Sequence, residues 1–131
     1  MVVCAVIYNE NEEFLLAQRS LKEDVLPGFW GIPGGKAETL ENFTQNFIET
    51  EIQREVKEEV GITIKNMKYL ENHFNPKDNC IHISFTAKIK EGKPTPLEDT
   101  DEVNWFSIEK AKELKLTPMT LKRLELAKNF I

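Results

Sequence analysis

The chain has few of the residues on which metal-stabilised and disulfide-bonded folds depend. It contains two cysteines and two histidines among 131 residues, and their positions do not follow the spacing of a zinc site. Cys4 and Cys80 are far apart and each lies in an apolar stretch, which predicts buried free thiols and fits a reducing cytoplasm. No apolar run approaches the roughly 18 residues that a membrane-spanning helix needs. We therefore expect neither a structural zinc site, nor a disulfide, nor a membrane partner.

The chain also lacks an excess of positive charge. It carries 17 lysine and arginine residues against 22 aspartate and glutamate residues, for a net charge of −5. This balance disfavours a surface that binds duplex nucleic acid, but it allows a small anionic substrate, because a bound divalent cation reverses the local charge. The length suits a single domain over residues 1–131 with one core. The first residues carry no basic segment of the kind that opens a signal peptide, so we expect a cytoplasmic protein.

The most informative segment is an acidic helical run over residues 54–62. Residues three and four apart are neighbours on a helix, so Glu55, Glu58 and Glu59 share one face. Their mutual repulsion weakens the helix by tenths of a kcal/mol per pair, and a hard divalent cation such as Mg²⁺, which prefers carboxylate oxygens, offsets it. A solvated acidic face is the alternative interpretation.

The same helix carries its own apolar anchor. Apolar residues recur every four positions and form a stripe beside the carboxylates: Ile48, Ile52, Val56 and Val60. Gly61 suits a left-handed residue that ends the helix. The pattern predicts a helix that buries one side and presents its glutamates at the edge of a cleft.

A glycine-rich loop precedes this helix, and the two together resemble the Nudix box, G-x5-E-x7-R-E-U-x-E-E-x-G-U with U apolar. Gly35 followed by Glu41 has the first spacing of the box, and residues 54–62 match its second half at every defined position. The chain departs from the pattern in one place, because twelve residues separate Glu41 from Arg54 where the box has seven. Counting back from Arg54 by the box interval leads to Asn46, so we expect Glu41 to be displaced, with Glu51 as a partial substitute.

The coarse pattern of elements predicts an α/β (α+β) fold, a sheet with helices on its faces. The resemblance implies the Nudix fold, a mixed β-sheet sandwiched between helices. We expect a hairpin first, then the catalytic helix and three further strands. Two helices follow, which begin after Ser107 and Thr117. The predicted ranges are 2–8 and 14–19 for the hairpin, 63–72, 81–87 and 103–106 for the later strands, about 108–114 for the first of the two helices, and 118 onward for the last.

The resemblance also implies roles for individual residues. Glu58, Glu59 and the carbonyl of Gly34 would hold the metal, Glu55 would be a further ligand or the general base, and Arg54 would orient Glu55. Arg19 would bind a substrate phosphate. Glu98 of the acidic loop would be a further metal ligand or base, with Glu102 as second choice. The expected substrate-binding residues are Gly35, Lys36 and Phe74. Phe29 and Trp30 are candidates for base stacking or for the core, and the core is favoured for Trp30.

The implied activity is that of a Mg²⁺-dependent pyrophosphohydrolase, with Mn²⁺ as a substitute metal, that cleaves the pyrophosphate bond of a nucleoside triphosphate or another nucleoside diphosphate derivative. The alternatives are an ADP-ribose or nucleotide-sugar diphosphatase and a non-catalytic nucleotide-binding module. Residues 107–128 contain no asparagine of the kind that reads oxidised guanine in MutT-type enzymes, so that specificity is not expected. The expected partner is a small nucleotide, and both a monomer and a homodimer remain open.

Overall fold

Strands and helices alternate along the chain. The computed structural model describes residues 1–39 and 42–131. Within these residues the elements are β1 Val2–Ile7, β2 Phe14–Arg19, β3 Trp30–Gly31, β4 Gly34–Lys36, α1 Phe47–Val60, β5 Thr63–Asn75, β6 Cys80–Glu91, β7 Thr100–Phe106, α2 Ile108–Ala111 and α3 Pro118–Phe130. No helix in the described ranges is long and apolar enough to cross a membrane.

The strands form two sheets. In the larger sheet the order is β4-β1-β6-β5, with β1 parallel to β6 and the other pairs antiparallel. The smaller sheet has the order β3-β2-β7 and is antiparallel throughout. The predicted mixed α+β architecture is confirmed.

Helices cover both faces of β1, because its residues alternate between two apolar clusters. Val3, Ala5 and Ile7 pack with the α1 stripe, in which Ile52 and Val56 are fully buried. Val6, on the other face, packs with residues of β2, α2 and α3, including Phe14, Leu16, Ile108 and Leu124. This arrangement fixes α1 against the sheet and leaves its glutamate side at the sheet's edge.

The predicted helix ends are confirmed. Gly61 has φ 74° and its N–H bonds the Lys57 carbonyl, as a left-handed terminal residue does. The side chain of Ser107 accepts a hydrogen bond from the Lys110 N–H at the start of α2. Thr117 does the same for Thr120 at the start of α3, with proline in the first turn.

The predicted N-terminal hairpin is wrong in its pairing. β1 and β2 belong to different sheets and are joined by a single bridge between Tyr8 and Phe14. Both strands are almost completely buried, so each takes its neighbours from elsewhere in the chain. Three further bounds differ from prediction: β5 and β6 form a longer hairpin, β7 begins at Thr100, and α2 is a single turn that ends at Ala111.

The segment between Glu41 and Arg54, which carries the five extra residues, is non-helical over 42–46 and helical from Phe47. The described residues of the segment, 37–39 and 42–46, are not helical, and α1 begins at Phe47 after Asn46 with φ 54°. Glu41, whose displacement the spacing predicts, lies outside the described residues.

Candidate active site

Two glutamates of α1 face a cavity of about 240 Å³ between the helix and the acidic loop that precedes β7. Glu55 and Glu59 come from α1, and Glu98 and Asp99 come from the loop. Arg19, at the end of β2, lines the same cavity, as do Ala17, Glu23 and Thr100. The cavity therefore collects five carboxylates and one arginine.

The end of α1 positions the acidic loop. The last carbonyls of a helix have no partner within it, and here the loop supplies two: the Thr95 N–H donates to the Val60 carbonyl at 2.9 Å, and the Leu97 N–H donates to the Glu59 carbonyl at 3.0 Å. Glu98 follows directly. This docking brings Glu98 beside Glu59, whereas Glu102 lies in β7, exposed and paired with Gln18.

The glycine pair lets β4 pack closely against α1. Gly34 pairs with Cys4 and Gly35 with Val3 across β1 and β4. A Cβ at Gly35 would overlap the Glu55 carboxylate and lie 2.7 Å from its Cδ. Glycine at this position therefore allows the Glu55 carboxylate to rest on the loop backbone.

Arg54 is the charged centre of a cluster outside the cavity. Its guanidinium lies 3.0 Å from a Glu55 oxygen and 3.0 Å from a Glu58 oxygen, 3.1 Å from Glu51, 3.6 Å from Glu38, and 3.3 Å from the Lys36 carbonyl. These partners raise the pKa of Arg54 above its ordinary value, with the Glu51 hydrogen bonds as the first cause. Arg54 thus contacts Glu55, as its predicted orienting role requires, and that role stays a prediction.

Burial raises the pKa of two carboxylates in the cavity. Burial raises the pKa of Glu59 to about 7, with Glu55 and Glu98 adding to the shift, and a Gly34 backbone hydrogen bond and Arg19 opposing it. Burial also raises the pKa of Glu55, against the pull of Arg54. Burial therefore disfavours the charged form of both carboxylates, in a cavity whose lining has five carboxylates and one arginine.

This donor set fits a divalent metal ion in its chemistry. Hard cations such as Mg²⁺ take carboxylate and carbonyl oxygens, and Glu55, Glu59 and Glu98 present such oxygens in one cavity of unbalanced charge. Among the described residues, no three acidic, histidine or cysteine side chains already converge as a metal site. Glu58, a predicted ligand, is turned towards Arg54.

The other predicted contributors are distributed unevenly. Arg19 lines the cavity, but its Nε donates to the Val25 carbonyl at 2.8 Å and its guanidinium lies 3.6 Å from Glu23. Lys36 is exposed beside the glycine pair. Phe74 is 58% exposed near the tip of the β5–β6 hairpin and is not among the residues that line the cavity. Its role in substrate binding stays a prediction.

The aromatic and thiol candidates lie mostly in the interior. Trp30 is 8% exposed and packs edge-to-face on Phe106 with ring centroids 5.0 Å apart, as the core interpretation predicts. Phe29 has the Lys115 ammonium 4.7 Å from its ring centroid. Cys4 is buried and Cys80 half-buried, and both are free.

The sequence predicts Glu51 only as a partial substitute for Glu41, but the structure places it at the centre of several contacts. Its side chain is buried, at 3% exposure, and accepts hydrogen bonds from Arg54 and from the Glu38 N–H. Arg54 holds the pKa of this carboxyl below its ordinary value. The available signal was its place one residue before Ile52 of the buried stripe.

The fold and the carboxylate-lined cavity agree with the family to which the box points. A NUDIX domain model matches residues 1–130, so the chain belongs to the Nudix hydrolase family, whose members generally use divalent metal ions and bind small nucleotide substrates. One relative is the NAD-capped RNA hydrolase NudC of Pseudomonas aeruginosa (strain LESB58), 29% identical over 105 residues, which are 79% of this chain and 35% of the relative. The chain spans about a third of the length of the curated relatives it matches.

Solved structures show the same architecture. The MutT NUDIX hydrolase of Burkholderia pseudomallei superposes with a TM-score of 0.73 and 26% identity, over 95% of each chain. The NUDIX domain of Shewanella oneidensis NrtR, solved with ADP ribose, gives a TM-score of 0.77 over 98% of this chain and 86% of that one. At 21% identity the second likeness shows the fold alone.

Proposed function

We propose that this chain is a Mg²⁺-dependent pyrophosphohydrolase that cleaves the pyrophosphate bond of a nucleoside triphosphate or a related nucleoside diphosphate derivative. The observation that carries the proposal is the single cavity in which Glu55 and Glu59 of α1 meet Glu98 of the acidic loop, with Arg19 at its wall. A pyrophosphate is a polyanion, and this cavity would repel it without an intervening cation.

The residues suited to hold the metal are Glu55, Glu59, Glu98 and the Gly34 carbonyl, with Glu58 joining them if it leaves Arg54. When bound, a divalent cation would neutralise phosphate oxygens and lower the pKa of a water molecule. Either Glu55 or Glu98 is suited to take the proton from the attacking water, since both are carboxylates at the cavity wall.

Arginines supply the remaining groups. Arg54 would keep Glu55 in a fixed orientation through its 3.0 Å ion pair. Arg19 would bind a phosphate oxygen with its forked donors. To do so it would give up its contact with Glu23 and bind the substrate instead. Gly35 and Lys36 lie where the loop backbone borders Glu55, and we assign them to substrate contact.

The proposed base preference is weak. Within the segment that lacks the MutT-type asparagine, the hydroxyl groups of Thr117 and Thr120 bond to one another at 3.0 Å, and that of Thr117 also accepts the Thr120 N–H at the start of α3. A site that hydrogen-bonds its base can discriminate by orders of magnitude, whereas apolar packing gives much less. We therefore expect several nucleotides to be accepted.

A second candidate is hydrolysis of the pyrophosphate inside a dinucleotide or dinucleotide-like end, such as that of NAD or ADP-ribose. It is favoured by the NAD-capped RNA hydrolases among the relatives, which share 29% identity over 105 residues with this chain. The same carboxylates would serve both reactions, and only the groups that hold the remainder of the substrate would differ.

The test is a substrate panel with two matched variants. The purified chain is incubated with Mg²⁺ and nucleoside triphosphates, NAD, ADP-ribose or nucleotide sugars, and the products are separated by ion-exchange chromatography. Glu59→Gln should abolish turnover, whereas Glu102→Gln, an exposed carboxylate of β7, should leave it unchanged. Binding of a nucleotide without any turnover across the panel would instead identify a non-catalytic module.

A further inference from the structure

Glu51 joins the catalytic helix to the glycine-rich loop. It lies one turn before Glu55 on α1, and its side chain is 3% exposed. One of its carboxylate oxygens accepts the backbone N–H of Glu38 at 2.5 Å, and the two oxygens together accept the Nε and one terminal nitrogen of Arg54 at 3.1 Å. The carboxylate therefore fixes two parts of the site at once.

A buried carboxylate at this position is expensive for stability alone. Removing a charge from water costs several kcal/mol before pairing, and an apolar residue of similar volume is often as stable as a buried ion pair or more so. The neighbouring stripe residue, Ile52, is fully buried in the α1 core. The presence of a charged residue here thus favours a role in positioning other groups.

The loop insertion explains why such a residue is needed. The box interval, counted back from Arg54, leads to Asn46, which is exposed and gives α1 no side-chain capping hydrogen bond. With five more residues in the connection, the chain itself restrains the position of residues 34–38 relative to α1 less tightly. The Glu51 contact to the Glu38 N–H restores a fixed distance through space.

We infer that Glu51 is a positioning residue that holds Arg54 and the glycine loop in register with the catalytic glutamates, in place of the box glutamate whose interval from Arg54 is occupied by Asn46. The inference rests on the proposed function, because it assigns Glu51 to that same site. Without Glu51, Arg54 would pair more strongly with Glu55 and Glu58 and compete with a cation for them, and the Glu38 N–H would lose its acceptor.

Two variants separate these effects. Glu51→Gln keeps an oxygen that can accept the Glu38 N–H but removes the charge opposite Arg54, and Glu51→Ala removes both. Glu49→Gln is the matched control, since it removes a glutamate charge from the first turn of the same helix and has no hydrogen bond or ion pair to another described residue. Far-UV circular dichroism first establishes that each variant is folded.

Three measurements follow on each folded variant. Hydrogen exchange reports protection of the Glu38 amide, titration with Mn²⁺ in the absence of substrate reports metal affinity, and steady-state kinetics separate kcat from KM. The first two need no turnover, so they test Glu51 even if the proposed activity fails.

We expect Glu51→Gln to retain Glu38 protection but to lose about tenfold or more in Mn²⁺ affinity and kcat, with KM little changed, as loss of an outer partner of a metal site does. Glu51→Ala should in addition speed exchange at Glu38 by about tenfold or more. The control should match the wild type in all three. The inference would be overturned if Glu51→Gln kept the Mn²⁺ affinity and kcat of the wild type, or if Glu51→Ala kept its rate of exchange at Glu38. If the wild type is active and the variants behave like it, the proposed function still stands.

Discussion

Alanine at the two adjacent glycines of β4 should give opposite outcomes, because the missing side chains face different neighbours. At Gly35 a Cβ would overlap the Glu55 carboxylate and lie 2.7 Å from its Cδ. At Gly34 it would overlap the Val3 carbonyl and lie 2.5 Å from the Cβ of Cys4. The first obstacle is the end of a flexible side chain, whereas the second is backbone and strand core.

The magnitudes follow from what can move. Neither glycine has a positive φ, so alanine is not strained by the backbone itself. In Gly35→Ala the Glu55 carboxylate can swing away for about 1 kcal/mol, the net value of one hydrogen-bonded contact, because Arg54 keeps its contacts with Glu51 and Glu58. A displacement of roughly 1 Å at a reacting group nevertheless costs about a hundredfold in rate. In Gly34→Ala the strand pair must separate, and overpacking of this kind costs about 1–3 kcal/mol.

Urea unfolding and steady-state hydrolysis measured on both variants test this contrast. Gly35→Ala should unfold within about 1 kcal/mol of wild type and be nearly inactive, whereas Gly34→Ala should lose about 1–3 kcal/mol of unfolding free energy. Gly31→Ala is the control, since nothing lies within 4 Å of a Cβ placed there. A Gly35→Ala variant with normal turnover, or with the stability loss of Gly34→Ala, would refute the assigned packing of Glu55.

Four further outcomes are expected. Activity should vanish in chelator and return with Mg²⁺ or Mn²⁺, as release of phosphate or pyrophosphate shows. Glu58→Gln should reduce kcat by about a hundredfold or more with little change in urea midpoint, because its ion pair with Arg54 is half-exposed. Common nucleoside triphosphates should differ in kcat/KM by about tenfold or less, and a preference of roughly a thousandfold for oxidised dGTP would contradict this. In metal-free protein, burial raises the pKa of Glu59 from 4.5 to about 7. Between these two pH values the folded protein keeps the Glu59 proton and the unfolded chain loses it, so the free energy of unfolding falls as the pH rises. Glu59→Gln should therefore match wild type in urea near pH 4.5 and exceed it by about 2–3 kcal/mol near pH 8.

Local features of α1 could be predicted from the sequence, because its signals lie within a few residues of one another. The four-residue stripe predicts the buried face, on which Ile52, Val56 and Val60 are fully buried, and Gly61 predicts the left-handed end. Ser107 and Thr117 predict helix starts for the same reason. Such signals act through hydrogen bonds within one turn and do not depend on the rest of the fold.

Partner choice between distant segments could not be predicted in this way. The turn between β1 and β2 suggests a hairpin, but two strands buried on both faces each need neighbours that only the complete sheets supply. The family resemblance favours Glu98 over Glu102, but the contact that brings Glu98 to the cavity, the docking of Leu97 onto the end of α1, has no signal in the sequence pattern. Both features depend on contacts between residues far apart in the sequence.

The insertion is tolerated because loop length and loop position have very different energies. Ten residues, 37–46, connect Lys36 to Phe47 in the sequence, about twice the number without the five extra residues. Doubling a flexible loop costs only about 0.6 kcal/mol in closure entropy. A hundredfold loss of rate corresponds to about 2.7 kcal/mol of barrier, so the hazard of the insertion is misplacement of Gly35 and Arg54 and not instability. A single contact that fixes the loop end, such as that of Glu51 with the Glu38 N–H, therefore matters more to catalysis than to folding.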